Sequence, residues 1–196
     1  VFFVNYDFYQ EEKIMSTEGL TIRQSVYAAL FAALMGIASY IIIPVGPIPV
    51  TFQCSVLFLA ALLLQPLWAF VAVIVYLLAG IAGLPVFAGG SSGLAVFLGP
   101  SGGYLVGFAL TAPLTSFLHH KFNKNKRLVP AVIAIIAGWV AMYLVGVPWL
   151  KVRLDLSWHA ALYSGWLVFI IADSLKVVVV LFIYKILLKT GLNFDK

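Results

Sequence analysis

The sequence predicts an all-α integral membrane protein, six transmembrane helices in one bundle with both termini cytoplasmic. Three observations lead there. The 196 residues are 63% hydrophobic and only 10% charged, with a mean hydropathy of +1.08, whereas a soluble domain carries about 25% charged residues. The apolar runs are long enough to cross about 30 Å of hydrocarbon as helices, and they lack the ~10-residue alternation of an outer-membrane barrel. The lysines and arginines stand at the ends of those runs. They form no basic stripe interleaved with aromatics, so the net charge of +5 is not a nucleic-acid signal.

The chain opens with Val1–Met15, which mixes aromatics with Asp7, Glu11 and Glu12 and lacks the pattern of a signal peptide. It reads as an arm or extension (residues 1–15) ahead of the membrane domain (residues 16–196), with Met15 a natural start. The first apolar run is about Ile22–Ile43, stopped by Pro44, Pro47 and Pro49, which no helix continues through. The second, Gln53–Leu64, is short and ends at Gln65-Pro66, and the third runs from Leu67 to about Ala82. A Gly-rich connection from Gly83 to Gly103 leads to the fourth run, Tyr104 to about Leu118, and to the basic loop from His119 to Arg127. The fifth run, Leu128–Val147, is expected to close at Gly146 and Pro148. A polar loop with Lys151, Arg153 and Asp155 then precedes the sixth, about His159–Leu188.

Six spans put both ends of the chain on one side. That side carries Lys13, Arg23, Lys121, Lys124, Lys126, Arg127, Lys185, Lys189 and Lys196, against Lys151 and Arg153 on the other. Nine cations against two make the first side cytoplasmic, so the Gly-rich connection lies outside. The membrane implied is the bacterial cytoplasmic membrane, crossed several times, with its lipids as surroundings.

Lys176 is the remaining cation, and it sits in the sixth run three residues after Asp173. On a helix that spacing stacks ammonium and carboxylate on one face. Near the middle of a bilayer each lone charge would cost roughly 2.5–3.5 kcal/mol. The other six acids lie in the N-terminal arm, an outer loop or the tail. The pair either fixes helix packing as a buried ion pair or faces a cavity, with Asp173 accepting from ligand N–H groups and Lys176 donating to a carbonyl or carboxylate. A proton relay would need further titratable partners, which the spans do not supply.

The Gly-rich connection combines Phe87, Phe97 and Tyr104 with the hydroxyls of Ser91, Ser92 and Ser101. It carries no Gly-Lys-Ser/Thr and so no nucleotide loop. It suits either the lid of a pocket for a small, partly apolar molecule or a reentrant packing loop. Ala28-x-x-x-Ala32 and Ala29-x-x-x-Ala33 in the first run, and Gly99, Gly103 and Gly107 at the start of the fourth, permit close helix packing in lipid. Such stripes serve internal packing or, where exposed, docking. His119, His120 and His159 read as solvated ends rather than metal ligands, and the lone Cys54 excludes a disulfide and a cysteine cluster.

The segments Pro47-Ile-Pro49-Val-Thr51-Phe-Gln53, Gly83-Leu-Pro85-Val-Phe-Ala-Gly89-Gly90, Leu98-Gly99-Pro100-Ser101-Gly102-Gly103-Tyr104 and Asp173-x-x-Lys176 together resemble the biotin-specific S component (BioY) family of energy-coupling-factor vitamin transporters. The likeness covers about residues 22 to 189, and the Gly-Pro-Ser-Gly-Gly-Tyr run is its most specific part. It implies a six-helix S-component fold without catalytic or nucleotide-binding motifs or a cofactor. The expected function is capture of biotin from outside, with transport powered by a separate transmembrane coupling subunit and two ATPase subunits. By position it assigns the biotin site to Asp173, Lys176, Gln53, Phe87, Gly90, Ser91, Ser92 and Tyr104, the pair meeting the ureido ring. It assigns partner docking to Ala28, Ala29, Ala32 and Ala33. Two departures stand out. Ser91-Ser92 replace the glycine or basic residue common there, which leaves the partner of the biotin carboxylate open, and Ile171-Ala172 stand where Pro-Gly is common.

Two competing readings stay in view. A membrane enzyme acting on a lipid-like substrate would need a nucleophile or base that the spans do not offer. A solitary biotin carrier working without the ATPase module shares every feature above.

Overall fold

The computed structural model describes residues 21–44, 47–123 and 128–190. The arm expected over Val1–Met15 and the loop cations Lys124, Lys126 and Arg127 lie outside the described residues. Helix α1 spans Thr21–Ala38. Two short strands, β1 (Ile42–Ile43) and β2 (Val50–Thr51), pair antiparallel, Ile42 opposite Thr51 and Ile43 opposite Val50. Helices α2 (Gln53–Leu63), α3 (Pro66–Ile81), α4 (Leu94–Phe97), α5 (Gly102–Phe122) and α6 (Leu128–Arg153) follow. The last column joins α7 (Trp158–Leu162), a π turn (Tyr163–Leu167) and α8 (Val168–Lys189).

The molecule is apolar inside and out. Three helices are long and apolar enough to cross a membrane, Thr21–Ala38, Leu128–Arg153 and Trp158–Lys189, while α2 and α3 are shorter apolar helices. Exposed Ile22, Val26 and Leu30 on α1, and Leu175, Val178 and Phe182 on α8, repeat at helical spacing along outward faces. Such faces are stable only against hydrocarbon, and the chain is a multi-pass membrane protein. The polar atoms are turned inward, with Gln53, Thr111, Thr115, Ser116, His119, Asp173 and Lys176 all buried.

Close packing of α5 on α6 is set by glycines. A Cβ on Gly103 would lie 2.2 Å from Cβ of Trp149, and one on Gly107 3.1 Å from the Met142 carbonyl oxygen. The small-residue spacing at the start of the fourth run therefore serves internal packing, which lets helix backbones meet where lipid gives no hydrophobic drive.

Several boundaries differ from the sequence expectation. The first run stops being helical at Ala38, and Ile42–Ile43 enter the hairpin that carries Pro47 and Pro49. Pro148 does not close the fifth run: it sits inside α6, which continues to Arg153. One lost hydrogen bond there is offset by tertiary contacts beyond it, since Leu150 is fully buried and Trp149 Nε1 donates to the Gly99 carbonyl at 2.9 Å. Lys151 and Arg153 consequently lie in the last turn of α6, not in a loop. The Gly-rich connection is not a bare loop either, for it holds a 3-10 turn at Ala88–Gly90 and the short α4. His119, expected in solvent, is buried with Nε2 at 2.9 Å from the Tyr184 hydroxyl.

The stripe on α1 divides. Ala28 is buried in the core and Ala32 nearly so, whereas Ala29 and Ala33 are exposed. Of the four alanines expected to dock a partner, Ala28 therefore faces the bundle, while Ala29, Ala32 and Ala33 line one groove. A helix turns about 100° per residue, so adjacent stripes one residue apart cannot both face outward when one of them packs the bundle. Ala29, Ala33, Gly36 and the floor residue Ala32 border a groove of about 620 Å³ between α1 and α3.

Candidate ligand-binding site

The α8 pair sits where the hairpin, the Gly-rich connection and helices α2, α5 and α6 converge. A cavity of about 180 Å³ there is lined by Thr51 and Gln53, Phe87 and Ser91, Ser101 and Tyr104, Met142 and Tyr143, and Phe169, Asp173 and Lys176, among others. Each part contributes a different chemistry. Helix α8 supplies the only charges among these residues. The i, i+3 spacing stacks them as expected, with Lys176 Nζ 2.7 Å from Asp173 Oδ1. Both side chains are buried, at 3% and 6% exposure, so the attraction is not screened by water and the pair is costly to break on one side.

Helix α6 adds a group that the sequence reading did not single out. The hydroxyl of Tyr143 donates to Asp173 Oδ2. Each carboxylate oxygen thus has one protein donor and keeps a lone pair for another. A phenol in the middle of an otherwise apolar run was the available signal, because tyrosine in membrane helices favours the interface.

Aromatic rings form the body of the cavity. Tyr104 stacks on Phe169 at 6.2 Å and meets Tyr143 edge to face at 6.2 Å. Its hydroxyl donates to the Gly165 carbonyl at 2.7 Å, inside the π turn, a rare geometry frequent at functional sites. A Cβ on Gly165 would stand 2.6 Å from that hydroxyl, so glycine is required for the contact. Phe87 is fully buried and edge-on to Tyr76 at 5.7 Å, in a recess that Gly80 leaves open.

The Gly-rich connection closes one side. Phe87 N donates to the Ser91 carbonyl at 2.9 Å, making a tight loop, and the Ser91 hydroxyl donates to the Ala88 carbonyl at 2.8 Å. Gln53 reaches toward this loop, its Nε2 3.5 Å from the Val86 carbonyl. Of the sequence-nominated residues the structure brings together Asp173, Lys176, Gln53, Phe87, Ser91 and Tyr104. Gly90 and Ser92 do not line the cavity. Gly90 has φ +76°, and a Cβ there would meet the Tyr40 ring at 2.9 Å, so its role is to shape the loop. Ser101, read in the sequence as a lid hydroxyl, lines the cavity, and Thr51, Cys54, Met142, Tyr143 and Phe169 join it without having been nominated.

The BioY family model matches residues 12–192. The chain belongs to the BioY family. It is 36% identical over 152 residues, 78% of this chain and 82% of its relative, to biotin transporter BioY2 of Lactococcus lactis subsp. cremoris. It is 35% identical over 158 residues, 81% and 91% of the two chains, to biotin transporter BioY of Thermotoga maritima. A crystal structure of the S-component for biotin from an ECF-type ABC transporter superposes with a TM-score of 0.79 at 30% identity, covering 86% of this chain and 92% of the other. This BioY-family chain is a transport protein by kinship, not an enzyme.

Proposed function

We propose that the chain is the substrate-binding membrane subunit of a biotin uptake system and that the cavity around Asp173 and Lys176 is its biotin site. The observation that carries the reading is a buried, hydrogen-bonded acid–base pair lining an aromatic cavity in a protein of this family. A ureido ring presents two N–H donors and one carbonyl acceptor. Asp173 has free lone pairs for the donors, and the Lys176 ammonium has protons left for the carbonyl. Tyr104, Phe169 and Phe87 supply the apolar faces for the fused ring.

The cavity, at about 180 Å³, is smaller than the roughly 300–1,000 Å³ of sites that enclose whole ligands. Binding therefore requires the Gly-rich connection to open and reclose. The Ser101 hydroxyl is the group left for the valerate carboxylate, since the Ser91 hydroxyl already gives its one proton to the Ala88 carbonyl. Ser101 stands at the N-terminus of α5, where the helix dipole favours an anion, and its side chain makes no capping bond of its own.

Orientation and partners complete the proposal. The cavity lies at the α5 N-terminal end of the bundle, away from the basic end with His119, His120 and Lys121. With six spans and both termini cytoplasmic in the bacterial cytoplasmic membrane, that end opens outward. The groove bordered by Ala29, Ala33 and Gly36 is the surface offered to a transmembrane coupling subunit, itself driven by two ATPase subunits.

The test is a biotin titration of the purified protein. Tight binding by the wild type that collapses in Asp173→Asn supports the site. A wild type that retains no biotin rejects the function. Biotin entry into liposomes holding this chain alone would remove the need for the coupling and ATPase subunits.

A further inference from the structure

Asp173 borders a second, separate cavity. Between α6 and the α7–α8 column runs a crevice of about 750 Å³, walled by Leu144 and Trp139 on one side and Leu162 and Trp166 on the other, with Tyr143 and Asp173 at its inner end. We propose that this crevice holds one acyl chain of an anionic phospholipid, with the headgroup at Lys151.

Three features of the crevice specify an amphiphile. Its walls are almost wholly apolar, and residues that form them, Val140, Leu144 and Trp166, are among the exposed hydrophobics. A concave apolar slot in a membrane protein is filled by lipid chains because water there would leave hydrogen bonds unmade. Its α6 wall, from Ile136 to Pro148, is about 18 Å long at the helical rise, close to one leaflet of a hydrocarbon core about 30 Å thick. Its outer mouth is cationic, with Lys151 Nζ 5.3 Å from the ring centroid of Trp158, which lines the crevice, and Lys151 makes no ion pair among the described residues. An ammonium beside a tryptophan at the membrane surface pairs with a lipid phosphate, most strongly where the headgroup carries no cation of its own. Length, polarity and the charged end therefore select a headgroup-and-tail molecule.

The occupant has a consequence for the interior. The Tyr143–Asp173 hydrogen bond is the shared wall of the two cavities. A seated acyl chain keeps water away from the outer face of that wall, where an empty crevice would admit it.

The experiment uses the full chain in nanodiscs of unlabelled phosphatidylcholine, titrated with phosphatidylglycerol or phosphatidylcholine carrying brominated chains. Tryptophan fluorescence is the readout, since Trp139, Trp158 and Trp166 surround the crevice. The wild type is expected to show quenching that saturates at low mole fraction of brominated phosphatidylglycerol. Lys151→Gln should raise the half-saturating fraction at least five-fold, and Val140→Phe, which fills the slot, should abolish the saturable phase. Quenching that rises linearly with bulk fraction, equally for both lipids and all variants, overturns the proposal. So does a Leu144→Cys variant that cross-links to a second copy in the membrane while the quenching is absent. Should Val140→Phe fail to fold, the Lys151→Gln shift and the headgroup preference still decide. Neither readout involves biotin, so the outcome is independent of the biotin assignment.

Discussion

The two cavities that meet at Asp173 differ in nearly every respect. The inner one holds about 180 Å³ and is lined by a charged pair, a phenol, hydroxyls and stacked rings. The outer one holds about 750 Å³ and is almost entirely hydrocarbon. Size alone would nominate the outer cavity as the ligand site. Chemistry nominates the inner one, because specificity comes from a few placed polar groups and volume only sets what can fit. The comparison also shows why a charged pair survives in so apolar a bundle. Lys176 and Tyr143 each satisfy one oxygen of the same carboxylate, so neither cavity contains a bare charge.

The sharpest way to break this comparison is to unbalance the pair. Lys176→Ala leaves an uncompensated buried carboxylate and should cost about 3–5 kcal/mol of stability, read as a large fall in Tm together with loss of biotin binding. The double variant Asp173→Leu/Lys176→Leu should recover most of that stability without recovering binding. A stable double variant with native biotin affinity would reduce the pair to a packing device.

Next in size is Asp173→Asn, which keeps the shape but exchanges one acceptor for a donor. Its biotin affinity should fall about 100-fold, the ~2.7 kcal/mol scale of a hydrogen bond to a charged group, measured by titration calorimetry. Tyr143→Phe should weaken binding about ten-fold, near 1.4 kcal/mol, with a smaller fall in Tm than Lys176→Ala. It isolates the shared wall, and an unchanged affinity would assign Tyr143 to packing alone. The smallest effect is expected of Ser101→Ala, a two- to five-fold loss of affinity for biotin, on the order of 0.5–1 kcal/mol, and none for its methyl ester. An equal loss for both ligands would move the carboxylate contact elsewhere.

Much of this was legible from residues alone. Asp173 and Lys176 announce themselves because charge in a hydrocarbon run has few harmless explanations, and their i, i+3 contact follows from helix geometry. For Tyr143 the local signal, a phenol in an apolar run, does not say what it bonds: its meaning lies in a carboxylate thirty residues away in sequence. Gly90 and Ser92 look like neighbours of Ser91 in the chain, yet the turn at Ala88–Gly90 directs only some of that run to the cavity. Pro148 misleads for a related reason, since the contacts that carry α6 past it come from Gly99 and the core.

The sequence by itself determined the membrane class, the helical columns and the acid–base pair, because composition, run length and periodicity act within one segment. Tertiary structure alone decided which face of α1 is free, where α6 ends, which loop residues reach Asp173 and that a second cavity lies behind it. Those are matters of contact between segments far apart in the chain, where packing chooses among conformations that each segment finds nearly equal in energy.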